Sequence, residues 1–72
     1  MDTLYFTVRS DYENCKVNLY VSRNEKELHC DKPADCLATS WTLTHENWND
    51  VYNRVQRERE YLINDLKAIE VF

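Results

Sequence analysis

Glycine does not occur anywhere in this chain, and proline occurs once, at Pro33. The missing glycine excludes the phosphate cradles of P-loop and dinucleotide-binding folds, whose tight turns need a residue without a Cβ. It also removes the residue that enters the left-handed backbone region without steric cost. Such positions must fall to other residues, and Asn14, Asn24, Asp11 and Asp31 are the expected substitutes. Long apolar runs are missing too: nothing approaches the ~20 residues of a membrane span. The opening Met1-Asp2-Thr3-Leu4 shows neither the basic nor the apolar region of a secretory leader. Basic clusters are absent. Nine Lys and Arg stand against thirteen Asp and Glu, for a net charge of −4. Residues 1–40 carry seven acids and five bases, and residues 41–72 six and four, so neither half is an acidic tail or a basic arm. That balance favours solubility and weighs against non-specific nucleic-acid binding, which needs clustered cations.

Three cysteines, Cys15, Cys30 and Cys36, are too few and odd in number for a disulfide framework. Reduced thiols in a cytoplasmic protein are the expectation, with a Cys30–Cys36 bridge as the alternative.

What the chain does have is apolar and aromatic mass: 43% apolar residues, with two Trp, five Tyr and two Phe. Large rings build a core from few residues, and that composition is the opposite of a disordered chain's. Seventy-two residues make one small domain, 1–72. A domain of that size buries only about 60% of its unfolded surface and is marginally stable.

Hydrophobic periodicity divides the chain into a sheet region, 3–43, and a helix, 44–69. Leu4, Phe6 and Val8 alternate with Tyr5, Thr7 and Arg9. Cys15, Val17, Leu19 and Val21 alternate with Lys16, Asn18, Tyr20 and Ser22. With the polar segment 10–14 between them, these are the two strands of a hairpin. Shared facing requires even positions of the first strand opposite odd positions of the second. Val8 opposite Cys15 is the preferred register, because Val8 opposite Val17 would set Arg9 against Lys16. Tyr5 and Tyr20 then lie on the outer face. Residues 23–26 read as a turn, 27–30 as a short strand and 31–35 as a loop in which Pro33 or Asp35 could open one short helical turn. Leu37, Thr39, Trp41 and Leu43 alternate as a further strand. Thr44 reads as a helix N-cap, with Glu46 in the first turn. Trp48, Val55, Leu62 and Ile69 recur every seven residues, with Tyr52 and Leu66 between them and Arg59 at a seam position expected to be apolar. The expected fold is therefore α+β: a small antiparallel β-sheet, a hairpin plus one or two further strands, packed against one long C-terminal amphipathic helix. Residues 69–72 fit either a continued helix or a returning strand.

A helix over 45–69 would be ~37 Å long, against a diameter of ~29 Å for a compact chain of this length. Either the helix lies diagonally across its own sheet and frays or turns near Asn64, or its end overhangs and presents Leu62, Leu66 and Ile69 to a partner, a second copy or a groove on another protein.

Catalytic and metal chemistry find little support. His29, Cys30, Cys36 and His45 are ligand types, but Cys-x5-Cys is not the tight zinc knuckle, and adjacent His29 and Cys30 would point apart on a strand. A Cys–His pair alone lacks the orienting group and oxyanion hole of nucleophilic catalysis. The expectation is no enzyme activity, no cofactor and no metal. Tyr5 and Tyr20, flanked by Arg9 and Lys16, could stack bases, which makes a nucleic-acid-binding regulator the alternative reading. Arg54, Arg57 and Arg59 are interleaved with Glu58 and Glu60 and spread around the helix. Protein recognition is the leading expectation, through Tyr5, Tyr20, Arg57, Arg59, Glu60, Tyr61, Leu62 and Leu66, since Tyr and Arg dominate binding hot spots. The chain is thus expected to be a stoichiometric inhibitor or regulator of a larger enzyme or complex. Phages and mobile elements direct such proteins against host nucleases and defence systems. A self-assembling module, dimerising through the C-terminal helix, is the third possibility.

Overall fold

Alternating strands need cover on every apolar face, and in this protein the sheet is covered on both. The computed structural model describes residues 2–31 and 33–72; the Lys32 position of the expected 31–35 loop and Met1 of the opening segment lie outside them. Strands β1 (Tyr5–Asp11), β2 (Lys16–Ser22) and β3 (Leu37–Thr42) are followed by helix α1 (Trp48–Asn64) and a two-residue strand β4 (Ile69–Glu70). The sheet order is β3-β2-β1-β4. The β1–β2 and β2–β3 pairs are antiparallel, and β4 lies parallel to β1, so the sheet is mixed. The fold class is α+β, with one helix on a four-stranded sheet.

The hairpin has the expected parity but neither of the expected registers. Val8 faces Leu19, Arg9 faces Asn18 and Asp11 faces Lys16. This register replaces the Arg9–Lys16 conflict with an opposite-charge pair, which is favourable across strands. It also fits the turn. Cys15 takes a left-handed backbone at φ 52°, and Asp11 accepts hydrogen bonds from the Asn14 backbone (3.3 Å) and side-chain (2.9 Å) amides. The other left-handed residue is Lys67 at φ 56°. Neither is an Asn or Asp, so the expected substitutes for glycine do not fill these positions among the described residues.

One face of the sheet packs Phe6 and Leu19 against Leu62 and Ala68, with Leu4, Val8, Val21 and Trp41 around them. The other face holds Tyr20, Leu28, Cys36 and Val71, with Tyr5 against them. The segment 25–29, expected as a strand over 27–30, is instead a 3-10 helix, Glu25–His29, and Ala34–Cys36 forms a second. A single fully buried apolar anchor, Leu28, makes this a plug rather than a pleated ladder. The guanidinium of Arg9 fastens the plug by donating to the backbone carbonyls of Leu28, Cys30 and Asp31. Burying Phe6 and Leu28 completely is worth roughly 1.5–3 kcal/mol each.

The helix is shorter than expected at both ends. Thr44 is not its N-cap. Asn47 precedes the first turn, and its side chain accepts the Thr44 N–H (2.7 Å) and donates to the Thr42 carbonyl (2.8 Å). Residues 44–47 thus terminate β3 rather than start the helix. At the other end Lys67 turns the chain, the Ala68 N–H reaches the Leu62 carbonyl (2.8 Å), and Ile69 begins β4. Seventeen residues span about 26 Å, and the helix ends at Asn64, so of the two expectations the turn near Asn64 holds and the overhang does not. The molecule is nonetheless long and thin, 42 × 26 × 17 Å.

Candidate protein-binding surface

The eight residues expected to meet a partner are distributed unevenly. Tyr20 does not lie on an open outer face: it is 7% exposed, capped by Leu28, and its hydroxyl accepts the Asn18 side-chain amide (3.1 Å). Tyr5 is half-buried beside it. The Arg9 guanidinium lies 5.9 Å from the Tyr20 ring centre and is occupied by the plug. The outer hairpin face is therefore an interior face, because the 3-10 segments Glu25–His29 and Ala34–Cys36 fold over it, and Tyr5 and Tyr20 are not available there to stack bases. Leu62 is buried in the core under the helix. A substitution at Leu62 reports on folding, not on binding.

Arg59 occupies the stripe of α1 between buried Val55 and Leu62, the seam position expected to be apolar. Its Nη2 lies 2.9 Å from Glu70 Oε2 on β4, and both side chains are mostly covered. The helix thereby reaches across to the short edge strand and ties it down.

The remaining four, Arg57, Glu60, Tyr61 and Leu66, are exposed. They lie on the second half of α1 and in the turn after it, close in sequence to exposed residues that periodicity did not single out. Ile63, one position past buried Leu62, spills over the edge of the apolar stripe, and Phe72 is 99% exposed beyond β4. Of the nine large apolar side chains exposed among the described residues, five (Tyr61, Ile63, Leu66, Ile69 and Phe72) fall in residues 61–72. One-sixth of the chain thus carries more than half of its exposed large apolar groups. The sign of Ile63's exposure was present in the sequence: it falls outside the seven-residue repeat.

Three of the other four, Tyr12, Trp48 and Tyr52, surround a cleft of about 560 Å³. The cleft opens between the hairpin end of the sheet and the first half of α1, floored by Val8, Val17 and Leu43 and walled by Val51 and Val55. The helix closes on the sheet at Leu62 and stands away from it at Trp48, which is 62% exposed.

The thiols are separated. Cys15 is exposed in the hairpin turn, Cys30 is exposed after the first 3-10 helix, and Cys36 is buried. All three are free cysteines, so the Cys30–Cys36 bridge is not formed. The Cys36 Sγ–H donates to Glu27 Oε2 at 3.2 Å, and this hydrogen bond to a carboxylate, reinforced by burial, pushes the thiol pKa up. Among the described residues no three His, Cys, Asp or Glu side chains converge as a metal site, and no helix is long and apolar enough to cross a membrane. His29 stands 3.9 Å from Glu25, and His45 lines the cleft.

Comparison of the chain with known proteins found no matching family model, no matching curated protein and no matching solved structure.

Proposed function

We propose that the protein is a small non-catalytic protein-binding module that acts as a stoichiometric inhibitor or regulator of a larger enzyme or complex. It docks through its C-terminal end. The observation that supports this reading is the concentration of exposed Tyr61, Ile63, Leu66, Ile69 and Phe72 there, rimmed by Arg57 and Glu60. Apolar groups with an aromatic among them, bordered by charge, are the composition of a binding patch. The patch stands on the end of α1 and on β4, which the Arg59–Glu70 pair and buried Ala68 and Val71 hold in place. A surface held rigid before binding loses less entropy on association.

The test is a quantitative pull-down with the tagged full chain from a nuclease-treated native lysate. One protein recovered in stoichiometric amount is the expected result. Recovery of the bait alone, or of partners that vanish with nuclease, contradicts it.

A further inference from the structure

We infer that two copies of this chain associate through the open edge of β3, pairing antiparallel about Ser40 on a two-fold axis and joining their sheets. The inference is independent of the C-terminal surface.

It begins with the position of β3. In the order β3-β2-β1-β4, that strand has a neighbour on one side only among the described residues. The Leu43 N–H donates to the Cys15 carbonyl (2.7 Å), and Trp41 and Thr39 lie opposite Val17 and Leu19. Thr39, Trp41 and Leu43 therefore bond to β2, and the alternation of an antiparallel ladder turns the backbone groups of Ser40 and Thr42 to the open side. Edges are usually blunted by proline, by charged side chains or by a covering segment. Leu37–Thr42 has no proline and no charged residue. What blunting it has lies at its two ends. Asn47 donates to the Thr42 carbonyl (2.8 Å), and the register shifts at Ala38, between the Thr39–Leu19 and Leu37–Tyr20 pairs. Ser40 lies between these two features. Its hydroxyl is turned back to Asn18 Oδ1 on β2 (2.7 Å), away from the edge.

The occupant follows from complementarity. With Ser40 on the axis, its N–H and carbonyl meet those of the second Ser40, and the Thr42 N–H meets the second copy's Ala38 carbonyl. Trp41 stands opposite the second copy's Thr39, and an aromatic facing a β-branched residue is a favourable cross-strand pair. The two Trp41 rings become diagonal neighbours on the helix side. An axis at Trp41 would instead place the capped Thr42 carbonyl in the central bonds. Charge selects a second copy as well. Asp50 and Arg54, one turn apart on α1, line a groove of about 340 Å³ beside Ser40, Trp41 and Thr42. Both are exposed, and neither is held in an ion pair within the chain. A two-fold axis perpendicular to the sheet sets the two helices antiparallel on one face, so that Asp50 of each copy faces Arg54 of the other. The pair recurs by symmetry, as an isologous contact requires, and no like charges meet. The uncharged edge strand and the two unpaired charges above it thus have one explanation.

The experiment is sedimentation equilibrium of the full chain from about 10 µM to about 1 mM, a range that captures a weak dimer. Amide hydrogen exchange is read at both ends of that range. A concentration-dependent dimer is expected, with exchange slowed at Ser40 and Thr42 and little changed at Thr39 and Trp41, which β2 already protects. Arg54→Asp sets acid against acid and should weaken the dimer about tenfold, counting both symmetric pairs. Adding Asp50→Arg to that variant restores opposite charges across the axis and should recover most of the affinity. Both positions are exposed, and circular dichroism checks the fold. A monomer at every concentration overturns the inference. So does a dimer in which Ser40 and Thr42 exchange as fast as in the monomer, since its contact lies on another surface. A folded Arg54→Asp variant that dimerises as strongly as the unaltered chain, or a charge swap that recovers nothing, overturns it too. The exchange data on the unaltered chain decide the question even where a variant fails to fold.

Discussion

Arg59 stands between Val55 and Leu62 on the buried stripe of α1, and its charge is met by Glu70 from a strand eleven residues further on. No periodicity argument could supply that partner, because the pair exists only once the chain has turned back at Lys67. The turn itself is made by a residue poorly suited to it. A left-handed backbone costs a non-glycine residue roughly 1–2 kcal/mol, part of which a glycine returns as unfolded-state entropy. Lys67→Gly should therefore stabilise the protein by about 0.5–1 kcal/mol, raising Tm by roughly 2–8 °C in thermal unfolding. An unchanged or lower Tm would mean that Lys67 makes a compensating contact. Cys36 gives a pH-dependent prediction. The hydrogen bond to the Glu27 carboxylate and burial hold the folded thiol's pKa above its ordinary value. The folded state thus keeps a proton that the unfolded chain releases. The stabilisation is complete below the ordinary thiol pKa and is lost as pH rises through the folded value. At about pH 8, iodoacetamide should modify Cys15 and Cys30 well before Cys36, and Glu27→Gln should narrow the gap. Equal rates at all three by mass spectrometry would contradict the arrangement.

At the scale of elements, what alternates was legible and what terminates was not. Strict alternation of Leu4, Phe6 and Val8, and of Val17, Leu19 and Val21, placed two strands and the face that packs under the helix, but not the cover on the opposite face. Parity leaves shifts of two residues undecided, and the turn chose among them by putting Cys15 in the left-handed region. The third strand was readable from Leu37, Thr39 and Trp41 for the same reason. The 3-10 plug has one buried apolar residue, Leu28, in place of a period, so nothing in its pattern separated it from a short strand. Helix ends were obscured by the missing glycine, which leaves no conventional stop signal. At the start, Thr44 and Asn47 are both capping types, and only the fold shows that Asn47 makes the contacts. Asn47→Ala should cost about 1–2 kcal/mol in urea denaturation, whereas Thr44→Ala should stay within about 0.5 kcal/mol. The reverse order would restore Thr44 as the cap. Of the exposed C-terminal residues, Leu66 and Ile69 were legible as surplus apolar groups at helical spacing, whereas Ile63 and Phe72 fell outside it. Tyr20 and Leu62 were misread because only the fold reveals that each has cover of its own.

For the whole molecule, a sheet plugged on one face and roofed by a helix on the other leaves its ends, rather than its faces, for recognition. The hairpin turn and the first half of α1 hold the cleft and Tyr12; the segment 61–72 carries exposed Tyr61, Ile63, Leu66, Ile69 and Phe72. The central functional claim is that the second of these meets a larger protein. Its most direct test compares capture of the stoichiometric partner by the unaltered chain and by a Tyr61→Ala, Leu66→Asp double variant whose fold is checked by circular dichroism. Both side chains are half exposed, so the core survives their loss. The account predicts that the folded variant loses the partner, with affinity reduced at least about a hundredfold, as removal of two hot-spot groups commonly produces. Undiminished capture by the folded variant would place the binding surface elsewhere and contradict the account.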